Sequence, residues 1–329
     1  MCGFSGEIDF TRSAADPVAV ACMTGTMAAR GPDGSGLWAQ GPVALGHRRL
    51  KVIDLSERAA QPMVDAELGV SVVFNGCIYN HRELRRELES AGYRFFSTGD
   101  TEVIVKAYHH WGDGFVEHLT GMFALCLVER DAGRVVLARD RLGVKPLYLA
   151  EVGRSLRFAS TLPALLAAGG VDTSIDPVAL HQYLTFHSVV PAPRTILRGV
   201  RKLPPATLLA IEPDGSRRET TWWRADFSRR PEHEGWSPRD WQDAILGALR
   251  TAVDRRRVAD VPVGCLLSGG LDSSLVVGLL AEAGASDLLT FSIGFESHGG
   301  IEGDEFRWSD LIARRFATDH HRIRIGGDR

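Results

Sequence analysis

Seven residues, Ser268-Gly269-Gly270-Leu271-Asp272-Ser273-Ser274, restrict the possible folds more than any other stretch of this chain. They follow the apolar run 261–267, which reads as a buried strand, and precede the apolar run 275–281, which reads as a helix. Strand, glycine- and hydroxyl-rich loop, then helix aims backbone N–H groups and a helix N-terminus at one point, the arrangement that holds a phosphate. Gly269 and Gly270 let anionic oxygens approach the backbone, and Ser268, Ser273 and Ser274 add hydroxyl donors. Asp272 is a carboxylate suited to a magnesium ion. No Gly-Lys-Ser/Thr occurs here, which excludes a Walker-type loop. An ordinary strand-to-helix turn uses glycine as punctuation and accounts poorly for three hydroxyls and an acid in seven residues.

After the loop the pattern continues as a strand at 288–295, a helix at 306–316 and a strand at 321–325. Alternation of this kind implies a parallel sheet with a nucleotide at its carboxyl edge. The helix before the loop opens on Ser237-Pro238, an N-cap and a first-turn proline, and carries a helical stripe from Trp241 to Val253. Parallel strands need cover on both faces, so this second domain is expected to be incomplete at residue 329.

The first two thirds read as mixed α/β with many strands and short turns. Strands are expected at 2–10, 43–54, 69–74, 122–128, 134–138, 146–150, 156–159 and 207–211. Helices are expected at 16–29, after an Asn80 cap, and at 101–111, 163–168 and 177–186. The glycine-rich stretch 30–36 reads as loop and Asn75-Gly76 as a turn. A polar, proline-spaced stretch places the boundaries at 2–212 for the first domain, 213–236 for a linker and 237–329 for the second.

A net charge of −3 gives no electrostatic reason to expect nucleic acid or an anionic membrane as partner. No apolar run is long enough to span a bilayer and no secretory signal opens the chain. Five cysteines, odd in number and without a CxxC pair, suggest neither disulfides nor zinc, and Cys126 and Cys265 read as core thiols. A reducing cytoplasm is the expected location.

At the other end stands Met1-Cys2-Gly3. Removal of Met1 would leave one residue with both a thiol and a free α-amine. Their pKa values of roughly 8.5 and 7.7–8.0 let the amine take the thiol proton at little cost. Asn75 and Gly76 could supply a side-chain amide and a backbone N–H to a tetrahedral oxyanion. Arg49 is suited to a bidentate grip on a carboxylate.

These residues belong to a larger set. Cys2-Gly3, Arg30-Gly31-Pro32-Asp33, Gly46-His47-Arg48-Arg49-Leu50, Gln61-Pro62-Met63, Asn75-Gly76 followed by Ile78-Tyr79-Asn80, and the run from Arg139 to Tyr148 together resemble the class II glutamine amidotransferase domain. With the 268–274 loop behind them, the whole chain resembles the glutamine-hydrolysing asparagine synthetase family. The resemblance implies an N-terminal-nucleophile hydrolase with an αββα sandwich, followed by a parallel α/β ATP pyrophosphatase of the adenine-nucleotide α-hydrolase type. It implies that Cys2 attacks glutamine's side-chain amide, that Asn75 and Gly76 form the oxyanion hole, and that Arg49 and Asp100 hold the α-carboxylate and α-amine. In the second domain residues 268–274 would cradle pyrophosphate beside Leu267 and Ile293. Mg-ATP would activate an acceptor carboxylate, which ammonia converts to an amide. Other class II amidotransferases lack such a loop, and synthetases that have lost their glutaminase lack Cys2.

Two departures matter. Cys77 stands where the family carries a glutamate, leaving Asp100 as the carboxylate for the glutamine ammonium. The motif it creates resembles the branch that amidates N-acetylglutaminylglutamine, so the acceptor is either aspartate or that dipeptide. The chain is also shorter than the family, from which a fragment with glutaminase but not synthetase activity, or a non-catalytic remnant, is expected. The implied partners are small molecules, with a homodimer compatible with the family.

Overall fold

The computed structural model describes residues 2–11, 14–284, 287–296 and 304–326. The chain divides into two compact units, Met1–Asp226 and Phe227–Arg329.

The first unit begins β1 (Gly3–Asp9), α1 (Pro17–Gly25), β2 (Gly34–Gln40), β3 (Val43–Arg49), β4 (Met63–Asp65), β5 (Val70–Ile78), α2 (His81–Ser90), α3 (Asp100–Trp111) and α4 (Phe115–His118). It continues β6 (Gly121–Glu129), β7 (Val135–Arg139), β8 (Tyr148–Val152), β9 (Ser155–Ala159), α5 (Leu162–Ala167), α6 (Pro177–Thr185), β10 (Arg201–Lys202), β11 (Thr207–Ile211) and β12 (Arg217–Thr221). The strands form two antiparallel sheets of six, ordered β10-β8-β9-β1-β3-β2 and β12-β11-β7-β6-β5-β4.

The period-two alternation of each strand sorts its residues into layers. On β6, Ala124, Cys126 and Val128 join Phe4, Leu45, Val73 and Phe158 in a core between the sheets. The alternate residues Phe123, Leu125 and Leu127 pack with Leu84 and Leu88 of α2 and Val103, Ile104 and Ala107 of α3. On the outer side of the other sheet, Val20 and Met23 of α1 pack with Ala164 and Leu165 of α5. Helix, sheet, sheet, helix is the expected sandwich.

Several local expectations shift. The strand expected at 69–74 runs on through Asn75 and Gly76 to Ile78, so those two residues lie in a ladder and not in a turn. Gly34 and Gly36, read as loop, belong to β2, where a Cβ on Gly36 would lie 2.2 Å from Gln61 O. Asn80 precedes α2 without capping it; its side chain bonds Thr120 N at 2.9 Å and His118 O at 2.9 Å. The segment read as linker contains β12, which pairs with β11.

In the second unit α7 (Pro238–Arg256), β13 (Gly264–Leu266), α8 (Leu271–Glu282), β14 (Leu289–Phe295), α9 (Phe306–Phe316) and β15 (Asp319–Ile325) follow one another. The strands are parallel in the order β13-β14-β15. A capping box of Ser237 and Asp240 starts α7. Its apolar stripe is largely exposed: only Val253 is buried within the helix. The run 261–267 yields a strand of just three residues, with Leu266 71% exposed, because in this unit the sheet's cover is partial. Among the described residues no helix is long and apolar enough to cross a membrane.

Candidate active site

Strand parity brings the first constellation together. Cys2 has the parity of Phe4, Arg49 that of Leu45 and His47, and Asn75 and Cys77 that of Val73, so all four project into the layer between the sheets. There they line one cavity of about 130 Å³ with Gly76, Asp100 and Lys145, a volume suited to a small molecule and not a polymer. The six residues singled out for glutamine chemistry are thus gathered in one place.

The nucleophile is held from two sides. Leu50 N donates to Cys2 Sγ at 3.3 Å, and Arg30 Nε donates to Cys2 O at 3.2 Å. Arg30 sits in a loop pressed onto β3: a Cβ on Gly31 would lie 2.3 Å from the Arg48 carbonyl carbon, and Asp33 N donates to Arg49 O at 3.0 Å. Burial pushes the Cys2 thiol above its ordinary pKa, opposed by the Leu50 N–H contact.

Arg49, at the end of β3, is 6% exposed. Its guanidinium donates to Ser56 O at 2.7 Å and to Asp54 O, which fixes its plane. Asp54 keeps that loop in shape by accepting Ser56 N, Ser56 Oγ and Thr98 N at 3.0, 2.6 and 2.8 Å.

Asn75 and Gly76 owe their availability to how β5 is paired. Phe123, opposite Gly76, turns its N–H to Asp140 Oδ2 and its carbonyl to Asp140 N, away from β5. The N–H of Gly76 therefore points to the other edge of β5, where β4 covers only residues 70–72. On that edge Phe74 N is taken by Gln61 Oε1 at 2.6 Å and Ile78 N by Asp100 Oδ2 at 3.0 Å. Gly76 lies between them, and among the described residues nothing accepts its N–H. The Asn75 amide nitrogen is likewise buried and without a partner. Two donors, one backbone and one side chain, are left open at the cavity that holds Cys2.

Asp100 opens α3 and is 6% exposed. Burial raises its carboxyl pKa, against the bond from Ile78 N. Cys77 is pushed up to about 12 by burial and by the nearby Asp100, so it is a neutral thiol at pH 7. Sequence reasoning gave no role to three residues that build this site: Gln61 and His47, which fasten β5, and Lys145 in the cavity wall. Their motifs were visible, but pairing partners are a property of the tertiary fold.

In the second unit no side chain caps the N-terminus of α8, whose first N–H groups stay open to an anion. Gly269 has φ +85°, and a Cβ there would lie 2.5 Å from Ser309 N, so only glycine fits. Ser268 Oγ and Ser273 Oγ are 3.1 Å apart, and Ser268 Oγ accepts Gly270 N at 3.2 Å. Ser274 Oγ is buried without a partner. Ile293 and Ser268 line an adjacent cavity with Phe295, Asp304 and Phe306. Leu267 lies in the core beneath it at 1% exposure, so its side chain is not part of that wall.

Residues 1–223 match the model of the glutamine amidotransferase domain family, and residues 244–329 that of asparagine synthase. The chain is 32% identical over 341 residues to asparagine synthetase (glutamine-hydrolyzing) 3 of Bacillus subtilis (strain 168), covering 99% of this chain and 54% of that protein. It is 36% identical over 307 residues to asparagine synthetase (glutamine-hydrolyzing) 1 of the same organism, covering 92% of this chain and 47% of that one. The chain spans about half the length of these curated relatives. Among solved structures, glutamine phosphoribosylpyrophosphate amidotransferase from B. subtilis shares the fold, with a TM-score of 0.55 at 16% identity over 98% of this chain and 90% of that chain.

Proposed function

Since the chain belongs to the glutamine amidotransferase domain family, joined to an asparagine synthase segment, we propose that it hydrolyses glutamine at Cys2 to supply ammonia for amide synthesis of the asparagine synthetase type. The observation that carries this reading is the pair of open donors, Asn75 Nδ2 and the Gly76 N–H, at the cavity that holds the Cys2 thiol.

With Met1 removed, the thiol proton passes to the freed α-amine and Sγ attacks the glutamine side-chain carbonyl carbon. The carbonyl electron pair moves onto oxygen, where Asn75 and Gly76 receive the charge. Collapse expels the nitrogen, which takes the proton from the α-amine and leaves as ammonia. Water then opens the glutamyl thioester and regenerates the thiol. Arg49 holds the α-carboxylate and Asp100 the α-ammonium, with Cys77 a neutral wall.

In the second unit the 268–274 loop receives the phosphates of ATP, which activates an acceptor carboxylate as an acyl-adenylate. A magnesium ion fits this loop, whose single carboxylate Asp272 lies in the first turn of α8, because such an ion is held by one or two carboxylates together with nucleotide phosphates. It would neutralise phosphate charge there. The acceptor is aspartate, or N-acetylglutaminylglutamine as the Cys77 motif suggests. The partners in this reading are the small-molecule substrates glutamine, ATP and the acceptor, together with a second copy of the chain in a homodimer.

The test uses the full chain with Met1 removal verified by mass. A glutamine-derived chloroketone is expected to add once, at Cys2, and glutamine to yield ammonia. Cys2→Ala is expected to abolish both, and Asn75→Ala to lower glutaminase kcat by about 10²–10³-fold. Ammonia release that survives in Cys2→Ala would sink the reading. A chain retaining Met1 is expected to be inactive, since its Cys2 amine is locked in an amide.

A further inference from the structure

Asp54 stands between the two groups assigned to the charged ends of glutamine. It is 6% exposed and holds a backbone φ of +51°. Its carbonyl accepts the Arg49 guanidinium, which Ser56 O takes from a second side at 2.7 Å. Its carboxylate reaches two stretches of chain at once. Oδ1 accepts Ser56 N and Ser56 Oγ at 3.0 and 2.6 Å, and Oδ2 accepts Thr98 N at 2.8 Å. Thr98 belongs to the stretch 96–99 that leads into α3, whose first residue is Asp100. One residue thus carries Arg49 on its main chain and the approach to Asp100 on its side chain.

We propose that Asp54 is a positioning residue that fixes the spacing of Arg49 and Asp100, and so makes the site specific for a free α-amino acid. This rests on the glutaminase reading above and deepens it, since it names what lets both charged ends be recognised together.

The carboxylate and ammonium of glutamine are borne by one carbon atom, so the two grips serve together only at one separation. The sheets do not set it. Arg49 ends β3, which pairs with β1 and β2, whereas α3 packs on the other sheet. Glu102 fastens the stretch 96–99 to α3 itself, accepting Phe96 N and Ser97 N at 3.0 and 2.7 Å. Gln61 makes a second tie, from its amide to Phe74 N and to Thr101 Oγ1 at 2.6 and 3.2 Å, farther along from Arg49. Asp54 joins the two ends directly. Burial opposes its charge, but the hydrogen bonds from Ser56 and Thr98 hold its carboxyl below the ordinary carboxylate range. At pH 7 it therefore offers acceptors alone, which both stretches need. An asparagine offers one acceptor and one N–H donor, so it can serve only one of them.

The experiment compares two reagents at Cys2 in the full chain with Met1 removed, with adducts located by mass. One is a glutamine-derived chloroketone, which carries both charged ends; the other is iodoacetamide, which carries neither. The variants are D54N and D54G, because asparagine and glycine both accept a positive φ and neither strains the backbone. Alkylation by the chloroketone is expected to slow by about tenfold or more in each, with glutamine KM raised more than kcat is lowered, while iodoacetamide keeps its wild-type rate. In a D100N background D54N is expected to cost less than it does alone, since the spacing has lost one of its ends. A folded variant with the wild-type chloroketone rate would overturn the proposal. Equal slowing of both reagents would do the same, and so would full additivity with D100N. Absence of any wild-type alkylation by the chloroketone would instead overturn the glutaminase reading, and the proposal with it.

Discussion

At the scale of single residues, His47 couples the fold to pH. It is fully buried, its Nε2 lies 3.1 Å from Phe74 O, and burial lowers its pKa to about 4. In an unfolded chain it takes up a proton near pH 6.5. Between about pH 4 and 6.5 the unfolded state therefore binds more protons, so stability rises with pH through that window and falls on acidification. Above it both states are neutral and His47 adds no slope. The whole effect is on the order of 3 kcal/mol. A lower urea midpoint at pH 5 than at pH 7 is expected, and His47→Gln should flatten that difference. An unchanged slope in the variant would assign the acid limb to another group.

At the scale of elements, β5 shows what glycine can conceal. An Asn-Gly pair is the commonest hairpin signal, which is why the strand was expected to end at Phe74. The glycine is needed for a different reason: a Cβ on Gly76 would lie 2.2 Å from Met122 O and 2.8 Å from Phe123 Cα, both backbone atoms of β6. Gly36 in β2 is the same case against Gln61 O. Gly76→Ala is accordingly expected to destabilise by about 1–3 kcal/mol, measured by chemical denaturation, since a strand cannot yield as a side chain can. A wild-type midpoint in that variant would contradict the close approach. Where periodicity alone decides, the sequence was enough: Thr207–Ile211 and Phe306–Phe316 have the expected bounds. Residue types also sufficed to nominate Cys2, Arg49 and Asn75, whereas Asp100 came only with the family resemblance. What they could not reveal was which edge of β5 stays unpaired, or that Gln61 and Asp100 occupy the positions on either side. The stripe of α7 marks a helix correctly, yet its burial depends on what packs there, which no local pattern contains.

At the scale of the molecule, every residue of the glutamine site comes from the first unit, and so do all members of its three cores. A fragment of residues 1–226 is expected to fold and to keep Cys2 labelling by the chloroketone. One ending at 212 loses β12, the strand that covers β11, and is expected to melt lower. Equal melting of the two fragments would show that β12 adds nothing. The short reach of β4 has a consequence for the energetics of the reaction as well. A buried donor without an acceptor costs roughly 1–3 kcal/mol of folding stability. The unit accepts that cost at the buried Asn75 amide when it folds, before any substrate arrives. The dipoles that an oxyanion needs are then already aimed, and no solvent has to turn to meet the new charge. Part of the barrier's reorganisation energy is thus stored in the folded chain.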